Sequence, residues 1–173
     1  MAQLYMIMNG AMTTNAVLVP VTTSATNITM LQVKPAANVI AKVVEWGVSF
    51  DGSAAATPFP VDLVECDASV TTLTASALAD IMPYDGNAIA NTSGTSGVPF
   101  NLGTAATGYT SSTEGTAATV NRVFDVQQIA PTGQYVKQFP LGREPEINTG
   151  KFLRIRVKGD GTRKVTCYVI VEV

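Results

Sequence analysis

Apolar and polar residues alternate along much of this chain, and this period of two is the feature that most constrains its fold. The plainest example is the run Leu153, Arg154, Ile155, Arg156, Val157 and Lys158. Such alternation is typical of antiparallel strands with one face toward a core and the other toward solvent. A helix would instead repeat its apolar residues every three to four positions. The chain is therefore predicted to be all-β.

Strands are predicted wherever the alternation runs between turn-forming residues. The predicted strands cover residues 3–8, 15–21, 27–34, 39–50, 61–66, 120–129, 134–140, 152–158 and 165–173. Many short strands separated by turns predict an antiparallel β-sandwich with a jelly-roll-like organisation. At 173 residues the chain is expected to form a single domain over 1–173.

Turn signals suggest which strands lie side by side. The Gly-Asp-Gly-Thr turn at 159–162 predicts a hairpin between strands 152–158 and 165–173. An Asp-Gly pair after strand 39–50 predicts a second hairpin, with 61–66 as the partner strand.

The middle of the chain departs from the alternation. Apolar residues at near-helical spacing before Pro83 favour a helix over residues 71–82. Residues 87–121 are then dominated by glycine, serine, threonine and alanine, and Glu114 is their only charge. This neutral segment is predicted to be a loop, or an arm that becomes ordered on a partner.

Three side chains with distinctive chemistry are placed in the core. Trp46 alternates with Val44 and Val48, which predicts that its ring points inward. Cys66 and Cys167 lie in apolar runs and in no metal-ligand spacing, which favours buried thiols. A disulfide between the two cysteines is left open.

Composition narrows the possible functions. Charged residues make up 14% of the chain, against about 25% in an average soluble domain, and there is no histidine. Histidine-based triads and histidine-ligated metals are thereby excluded. A net charge of −2 argues against a general nucleic-acid binder. No secretory signal and no apolar run of about 18 residues is found, so we expect no membrane partner. No cofactor-binding motif is found either, so we expect no cofactor.

Acidic residues offer only weak candidates for catalysis or metal binding. Asp62, Glu65 and Asp67 are close in sequence, but only the last two share a strand face, which leaves a carboxylate hydrolase as a minor alternative. Asp-Gly turns at 51–52 and 85–86 lack the ligand spacing of a calcium-binding EF-hand and favour structural turns. The protein is therefore not predicted to be an enzyme.

Most of the positive charge lies late in the chain. Residues 137–164 hold eight of the eleven lysines and arginines and three acidic residues, a local balance of +5. Two interpretations stay open, a solvated strand face and a surface that docks on an oppositely charged partner.

Two stretches and the end of the chain together resemble a known family. They read Val44-Glu-Trp-Gly-Val-Ser-Phe-Asp-Gly52, Gln138-Phe-Pro-Leu-Gly-Arg-Glu-Pro145 and Tyr168-Val-Ile-Val-Glu-Val173. Their order and spacing resemble small head decoration, or cement, proteins of tailed bacteriophages. The resemblance implies a β-rich, non-enzymatic virion protein, often trimeric, that bridges neighbouring subunits on the capsid exterior. Its partners would be the major capsid protein and other copies of itself, and it would be made in the host cytoplasm.

This resemblance suggests roles for the late charges. Arg143 and Glu144 form a candidate inter-subunit turn, with an ion pair inside the chain as the alternative. A tail or fibre adhesion module that binds host carbohydrate is the alternative function. The candidate capsid-facing residues are Lys151, Arg154, Arg156 and Lys158.

Overall fold

The computed structural model of the chain shows two antiparallel sheets built from alternating strands. It describes residues 3–11, 18–52, 57–70, 72–84, 99–111, 113–114 and 119–173. Among these residues the strands are β1 (Leu4–Met8), β2 (Val21–Thr22), β3 (Ile28–Val33), β4 (Ala41–Phe50), β5 (Phe59–Cys66), β6 (Thr74–Ala75), β7 (Ile81–Pro83), β8 (Gly108–Tyr109), β9 (Val120–Ile129), β10 (Gln134–Gln138), β11 (Glu146–Ile147), β12 (Phe152–Val157) and β13 (Lys164–Glu172). The all-β prediction is confirmed, and the fold is an antiparallel β-sandwich.

The longer strands pair in a nested order. Sheet A runs β10-β4-β13-β1-β7, with β11 beside β4 and β2 beside β13, and sheet B runs β6-β8-β3-β12-β5-β9. Along the chain, β1 pairs with β13, β3 with β12, β4 with β10 and β5 with β9, all antiparallel. The chain therefore resembles one long hairpin that is rolled up so that successive pairs alternate between the two sheets.

The core lies between the sheets and is formed by the inward positions of the strands. Trp46 is fully buried, as its alternation predicts, and so are the inward residues of β13 from Val165 to Val171. Cys66 and Cys167 are free, buried thiols, which confirms their predicted burial. Burial raises the pKa of Cys167, so this thiol stays protonated in the core.

Both predicted hairpins are wrong. β12 pairs with β3 and β5 in sheet B, whereas β13 pairs with β1 and β4 in sheet A. In the same way, β4 belongs to sheet A and β5 to sheet B. Alternation determines which side chains face the core but not which strand lies alongside. A short turn can carry the chain across a sandwich as well as back along one sheet.

The predicted helix over 71–82 is also wrong. Its described part forms β6, a single 3₁₀ turn at Leu78–Asp80 and the start of β7. β7 pairs with β1, where Ile81 lies opposite Ile7, and both side chains are buried. Burial of a short apolar strand against the sheet thus outweighs a weak helical period.

The other predicted strands are present with somewhat shifted ends, with one exception. The run predicted at 15–21 is represented by β2, which begins only at Val21. Residues 15–17 of that prediction lie outside the described residues.

Candidate functional site

Arg154 lies beneath a layer of chain on the outer side of sheet B. Its side chain has no exposed surface. The guanidinium donates from Nε to Oε1 of Gln32 at 3.0 Å, from Nη1 to Oε2 of Glu114 at 3.2 Å, and from Nη2 to the carbonyl of Ala68. The predicted solvent-facing position of Arg154 is wrong, because two loops fold over this part of the sheet.

We call this covering layer the roof, and it consists of the described residues of 67–76 and 99–114. The amide N–H of Val70 donates to Oε1 of Gln32 at 3.2 Å, and Nε2 of Gln32 donates to the carbonyl of Ala106 at 2.6 Å. One buried glutamine side chain of β3 thus binds both halves of the roof. Together with Arg154 it gives sheet B a polar outer face whose hydrogen bonds are made within the chain.

The described part of the neutral segment packs on its own sheet. β8 pairs with β3 and β6, and the N–H of Ser111 donates to the carbonyl of Thr29 at 2.8 Å. Glu114, the one charge in 87–121, is the carboxylate that receives Arg154. The loop or arm was predicted over all of 87–121, and residues 87–98, 112 and 115–118 of that prediction lie outside the described residues.

The other candidate capsid-facing residues differ in whether their charges are paired within the chain. Arg156 makes a two-bond pair with Asp62, at 2.8 Å from Nε and 2.6 Å from Nη2. Lys151 is half-buried and Lys158 exposed, and neither forms an ion pair with a described residue. They stand just before and just after β12, so the length of a six-residue strand, about 20 Å, separates them. The four candidates therefore do not form one patch.

Arg143 and Glu144 lie in a surface turn after β10. The N–H of Arg143 donates to the carbonyl of Pro140 at 2.9 Å, and Gly142 has a φ of +78°. Arg143 and the neighbouring Leu141 are exposed. Among the described residues neither charge of this turn has an ion-pair partner, so pairing across a subunit boundary stays a prediction.

The positive balance of 137–164 is partly neutralised by acids from elsewhere in the fold. Arg154 and Arg156 pair with Glu114 and Asp62, which precede them in sequence by 40 and 94 residues. Two further pairs join Lys137 to Asp125 and Arg163 to Asp160. Half of the eight cations are thus engaged within the chain, which weakens the electrostatic case for docking through this segment as a whole.

The carboxylate of Glu65, which the sequence offered only as a weak catalytic candidate, is buried and joins β5, β9 and β11. Glu65 is fully buried, and its oxygens accept hydrogen bonds from Nε and Nη2 of Arg122 at 3.0 and 2.5 Å. The N–H of Asn148 donates to the same carboxylate at 2.8 Å. Burial pushes the pKa of Glu65 upward, but these hydrogen bonds and the charge of Arg122 hold it below its ordinary value. This cluster fastens the edge of sheet B.

A second buried carboxylate links the two sheets along one side of the sandwich. Asp125 on β9 accepts hydrogen bonds from Oη of Tyr135 at 2.9 Å and from Nε2 of Gln127 at 2.9 Å, while Nε1 of Trp46 lies 3.3 Å away. Burial raises the pKa of Asp125, and the hydrogen bonds, with Lys137, lower it by more. Burial and the bond to Asp125 raise the pKa of Tyr135 to about 12. Asp125 therefore stays charged and holds β9 to β10.

The consecutive residues Glu45, Trp46 and Gly47 of β4 lie on opposite faces of sheet A. Trp46 points into the core, while Glu45 and Gly47 lie on the outer face, next to β13. Oη of Tyr168 donates to Oε1 of Glu45 at 2.6 Å, and its ring lies over Gly47. Burial and this hydrogen bond raise the pKa of Tyr168. Glycine leaves room for the tyrosine to lie flat on the sheet.

Gly47→Ala is expected to lower the free energy of unfolding by about 1–2 kcal/mol. A Cβ at this position would lie 2.8 Å from Cζ and 2.9 Å from Oη of Tyr168, so the ring must lift and the bond to Glu45 must lengthen. Urea unfolding measures the effect. In a Tyr168→Leu background the same substitution should have almost no effect, and a full effect there would exclude the ring contact as its cause.

The outer face of sheet A carries apolar side chains. Its side chains alternate with the inward ones on four strands. They are Met6 and Met8 on β1, Met82 on β7, Val136 on β10, and Tyr168 and Ile170 on β13. Val136 is 55% and Met82 is 39% exposed. The sequence carries one sign of this face, because β13 has apolar residues at both alternating sets of positions.

Comparisons with protein-family models, with curated proteins and with solved structures found no match to this chain. The described residues hold no group of three or more cysteine, aspartate or glutamate side chains placed to bind a metal ion. Within the same residues no helix is long and apolar enough to cross a membrane. The candidate functional features are therefore surfaces: the outer face of sheet A, the turn at Arg143 and Glu144, and the free lysines beside β12.

Proposed function

We propose that this protein is a non-enzymatic structural protein of a virion, which binds the outer surface of an icosahedral phage head and stabilises it by bridging capsid subunits. The observation that carries this proposal is the outer face of sheet A, where Val136 and Met82 are exposed on the two edge strands and Tyr168 and Ile170 lie on β13 between them. Exposed apolar patches of this kind mark interaction surfaces in soluble proteins. The buried acidic groups of the described residues serve the fold, since Glu65 and Asp125 are engaged by internal donors.

The strand order supports the same proposal at the level of the fold. We infer that the four nested pairs form a jelly roll, because the first long strand lies beside the last and each following pair lies inside the previous one. Jelly rolls occur in viral capsid domains and in lectins. Since one fold serves many functions, this is support by analogy, and the surface carries the weight.

The proposed mechanism is the summation of several modest contacts. The partner would be the major capsid protein, and copies of this chain would associate with one another, with a trimer as the expected oligomer. On a head, many identical sites stand close together, so weak contacts add through high local concentration. The proposed location is the exterior of the virion.

Neutralising Lys151 and Lys158 together, as Lys151→Ala/Lys158→Ala, is expected to lower the occupancy of this protein on purified heads at low salt. These lysines are the candidate capsid-facing cations without an ion-pair partner among the described residues. The loss should shrink as salt is raised, because the screening length falls from about 10 Å at 0.1 M to about 3 Å at 1 M. Occupancy is measured by quantitative gel analysis of sedimented heads.

Two outcomes separate the parts of this proposal. As a control, Arg163→Ala removes a cation that already pairs with Asp160 and should leave occupancy unchanged. Equal occupancy of the wild type and the Lys151/Lys158 variant at every salt concentration would remove these lysines from the contact. No occupancy of the wild type on heads would reject head binding itself.

A tail or fibre adhesion module remains the alternative function, and lectin jelly rolls give it the same fold-level support. Tyr84, 62% exposed, is the one aromatic ring that the described residues present to solvent, whereas sugar sites commonly use stacked rings. Binding on a glycan array, without binding to heads, would favour this alternative.

A further inference from the structure

The two sheets differ in whether described loops cover their outer faces. Sheet B has a polar outer face, and its buried Arg154 and Gln32 are covered by the roof. Sheet A has apolar side chains on its outer face, and Val136 and Met82 on its two edge strands are 55% and 39% exposed. No loop among the described residues covers this face as the roof covers sheet B.

We propose that the outer face of sheet A binds a second copy of this chain, stacked face to face about a two-fold axis. The centre of the contact would be Tyr168 lying flat on Gly47, with Val136 on one side and Met6 on the other. Gly47 opposes both Val136 and Tyr168 in the sheet, and Met6 opposes Ile170 one step further along β13. The charge beside this centre is Glu45, whose carboxylate already accepts a hydrogen bond from Tyr168, so its burial in a self-complementary contact leaves that oxygen partnered.

Charge along β13 supports a second copy as the occupant. The outward positions of this strand are Lys164, Thr166, Tyr168, Ile170 and Glu172, because Val165 to Val171 at the odd positions point into the core. A lysine therefore stands at one end of the face and a glutamate at the other, about 26 Å apart. Among the described residues neither side chain forms an ion pair.

The neighbouring charges reinforce this polarity. Glu172 lies opposite Lys42, with Glu146 and Glu45 close by, so three carboxylates face one lysine at that end. At the other end the carboxylate of Asp51 accepts the backbone N–H of Lys164, so one carboxylate accompanies one lysine. The face is thus negative at one end and neutral at the other.

This polarity selects the direction of the two-fold axis. An axis that lies in the contact plane and crosses the strands makes β13 antiparallel to β13 of the second copy, and it brings Lys164 toward Glu172 of that copy. An axis along the strands would place the negative ends on each other and is disfavoured by like-charge repulsion. The proposed dimer therefore has two symmetry-related lysine–glutamate contacts at its ends.

The size of the face indicates how tight the dimer is. Five strands about 4.8 Å apart and about five residues long cover about 300–400 Å². A standard interface takes about 800 Å² from each partner. We therefore infer weak association in dilute solution, which becomes effective where many copies are held side by side. The inference concerns the free protein and does not depend on head binding.

The test is sedimentation equilibrium of the purified protein at concentrations up to about 1 mM. The wild type is expected to fit a monomer–dimer equilibrium. Lys164→Glu and Glu172→Lys should each weaken dimerisation by about fivefold to tenfold, since each change affects two contacts of exposed charges. The double charge swap should restore the wild-type dissociation constant to within about twofold, because the contacts are re-formed with reversed polarity.

A pair of matched substitutions tests the face itself. Val136→Asp places a charge beside Gly47 on this face and should abolish dimerisation. Val126→Asp alters a valine of the same exposure, 58%, on the edge of sheet B and should have no effect. Circular dichroism confirms that each variant is folded.

Several outcomes would overturn the proposal. They are a wild type that stays monomeric at 1 mM, a trimer without a dimer, a charge swap that fails to restore association, and equal effects of the two valine substitutions. A monomeric wild type whose Val136→Asp variant loses occupancy on heads would assign this face to the capsid protein instead.

Discussion

Replacing Arg154 with alanine is expected to lower the free energy of unfolding by about 3–5 kcal/mol, as for other buried ion pairs that lose one partner. The guanidinium has no exposed surface and binds Gln32, Glu114 and the carbonyl of Ala68. Its loss leaves the charge of Glu114 without its partner on a covered face of the sheet. Urea unfolding at pH 7 measures the change.

Arg156→Ala is the matched control on the same strand and face. Arg156 pairs with Asp62, but both side chains retain some exposure, 17% and 21%, so water can solvate the remaining carboxylate. A loss of about 1 kcal/mol is expected. Equal losses in the two variants would contradict the view that the roof, and not the ion pair alone, makes Arg154 important.

The reactivity of Cys66 reports on the roof directly. Cys66 lies on the same side of sheet B as Arg154, since Phe152 opposes Cys66 and Arg154 opposes Val64. Burial raises the pKa of this thiol, against the opposing effect of the two nearby arginine charges. In the Arg154→Ala variant a thiol reagent should modify Cys66 well before Cys167. Modification of both thiols at one rate would indicate global unfolding and no separate opening of the roof.

Arg122→Met is expected to lower the free energy of unfolding by about 2 kcal/mol at pH 7, with the loss shrinking as the pH falls. The full effect of breaking a buried pair is about 3–5 kcal/mol, and it is reduced here because the side chain of Arg122 is 39% exposed. Without Arg122, burial is the dominant influence on Glu65 and raises its pKa. Protonation of Glu65 at lower pH then reduces the loss of stability in the Arg122→Met variant.

The sign of this pH dependence differs between the two proteins. In the wild type the pKa of Glu65 lies below its ordinary value of 4.5, so its contribution is complete at neutral pH and is lost as the pH falls below that value. In the variant the raised pKa makes the folded state relatively more stable on acidification. Urea unfolding from pH 7 to pH 4 measures the gap between the two proteins.

The double variant Glu65→Gln/Arg122→Met provides the check on this explanation. Glutamine keeps the shape of Glu65 and carries no charge, so adding it should recover part of the loss at pH 7 and remove the pH dependence of the gap. A gap that stays constant from pH 7 to pH 4 in the single variant would show that lost packing of Arg122, and not the charge of Glu65, causes the destabilisation.

Alternation allowed the strands and the orientation of several core residues to be predicted. Trp46 and Val157 point inward in the structure as their spacing requires, because a period of two specifies faces directly. Pairing was not predictable in the same way. The turn after Val157 has the composition of a hairpin turn, yet it connects two sheets, since the partners of β12 and β13 are supplied by distant strands.

The position of Arg154 could not be read from its own strand. Its neighbours Ile155 and Leu153 have the alternation of a strand with one wet face, and the roof that excludes water comes from residues at least 40 positions earlier. One signal was nevertheless present. Glu114 is the single charge in a long neutral segment, and an isolated charge there needs a partner of opposite sign.

The outer face of sheet A leaves one signal in the sequence of β13, where Ile170 and Tyr168 occupy positions that a wet strand would give to charged residues. Its extent depends on which strands lie beside β13, and that order follows from the nested pairing. The flattening of Tyr168 over Gly47 was out of reach of sequence reasoning, because it requires β4 and β13 to be neighbours.

The nested pairing also has a consequence for the order of events during synthesis. β13 is the last strand along the chain, yet it occupies the middle of sheet A, between β4 and β1. Until β13 has emerged from the ribosome, β1 and β4 have no strand to join them, and their edges stand open. Pairings this distant in sequence also make folding slow. Newly made chains therefore pass through a period of exposed strand edges, during which a chaperone or a low local concentration protects them from premature aggregation.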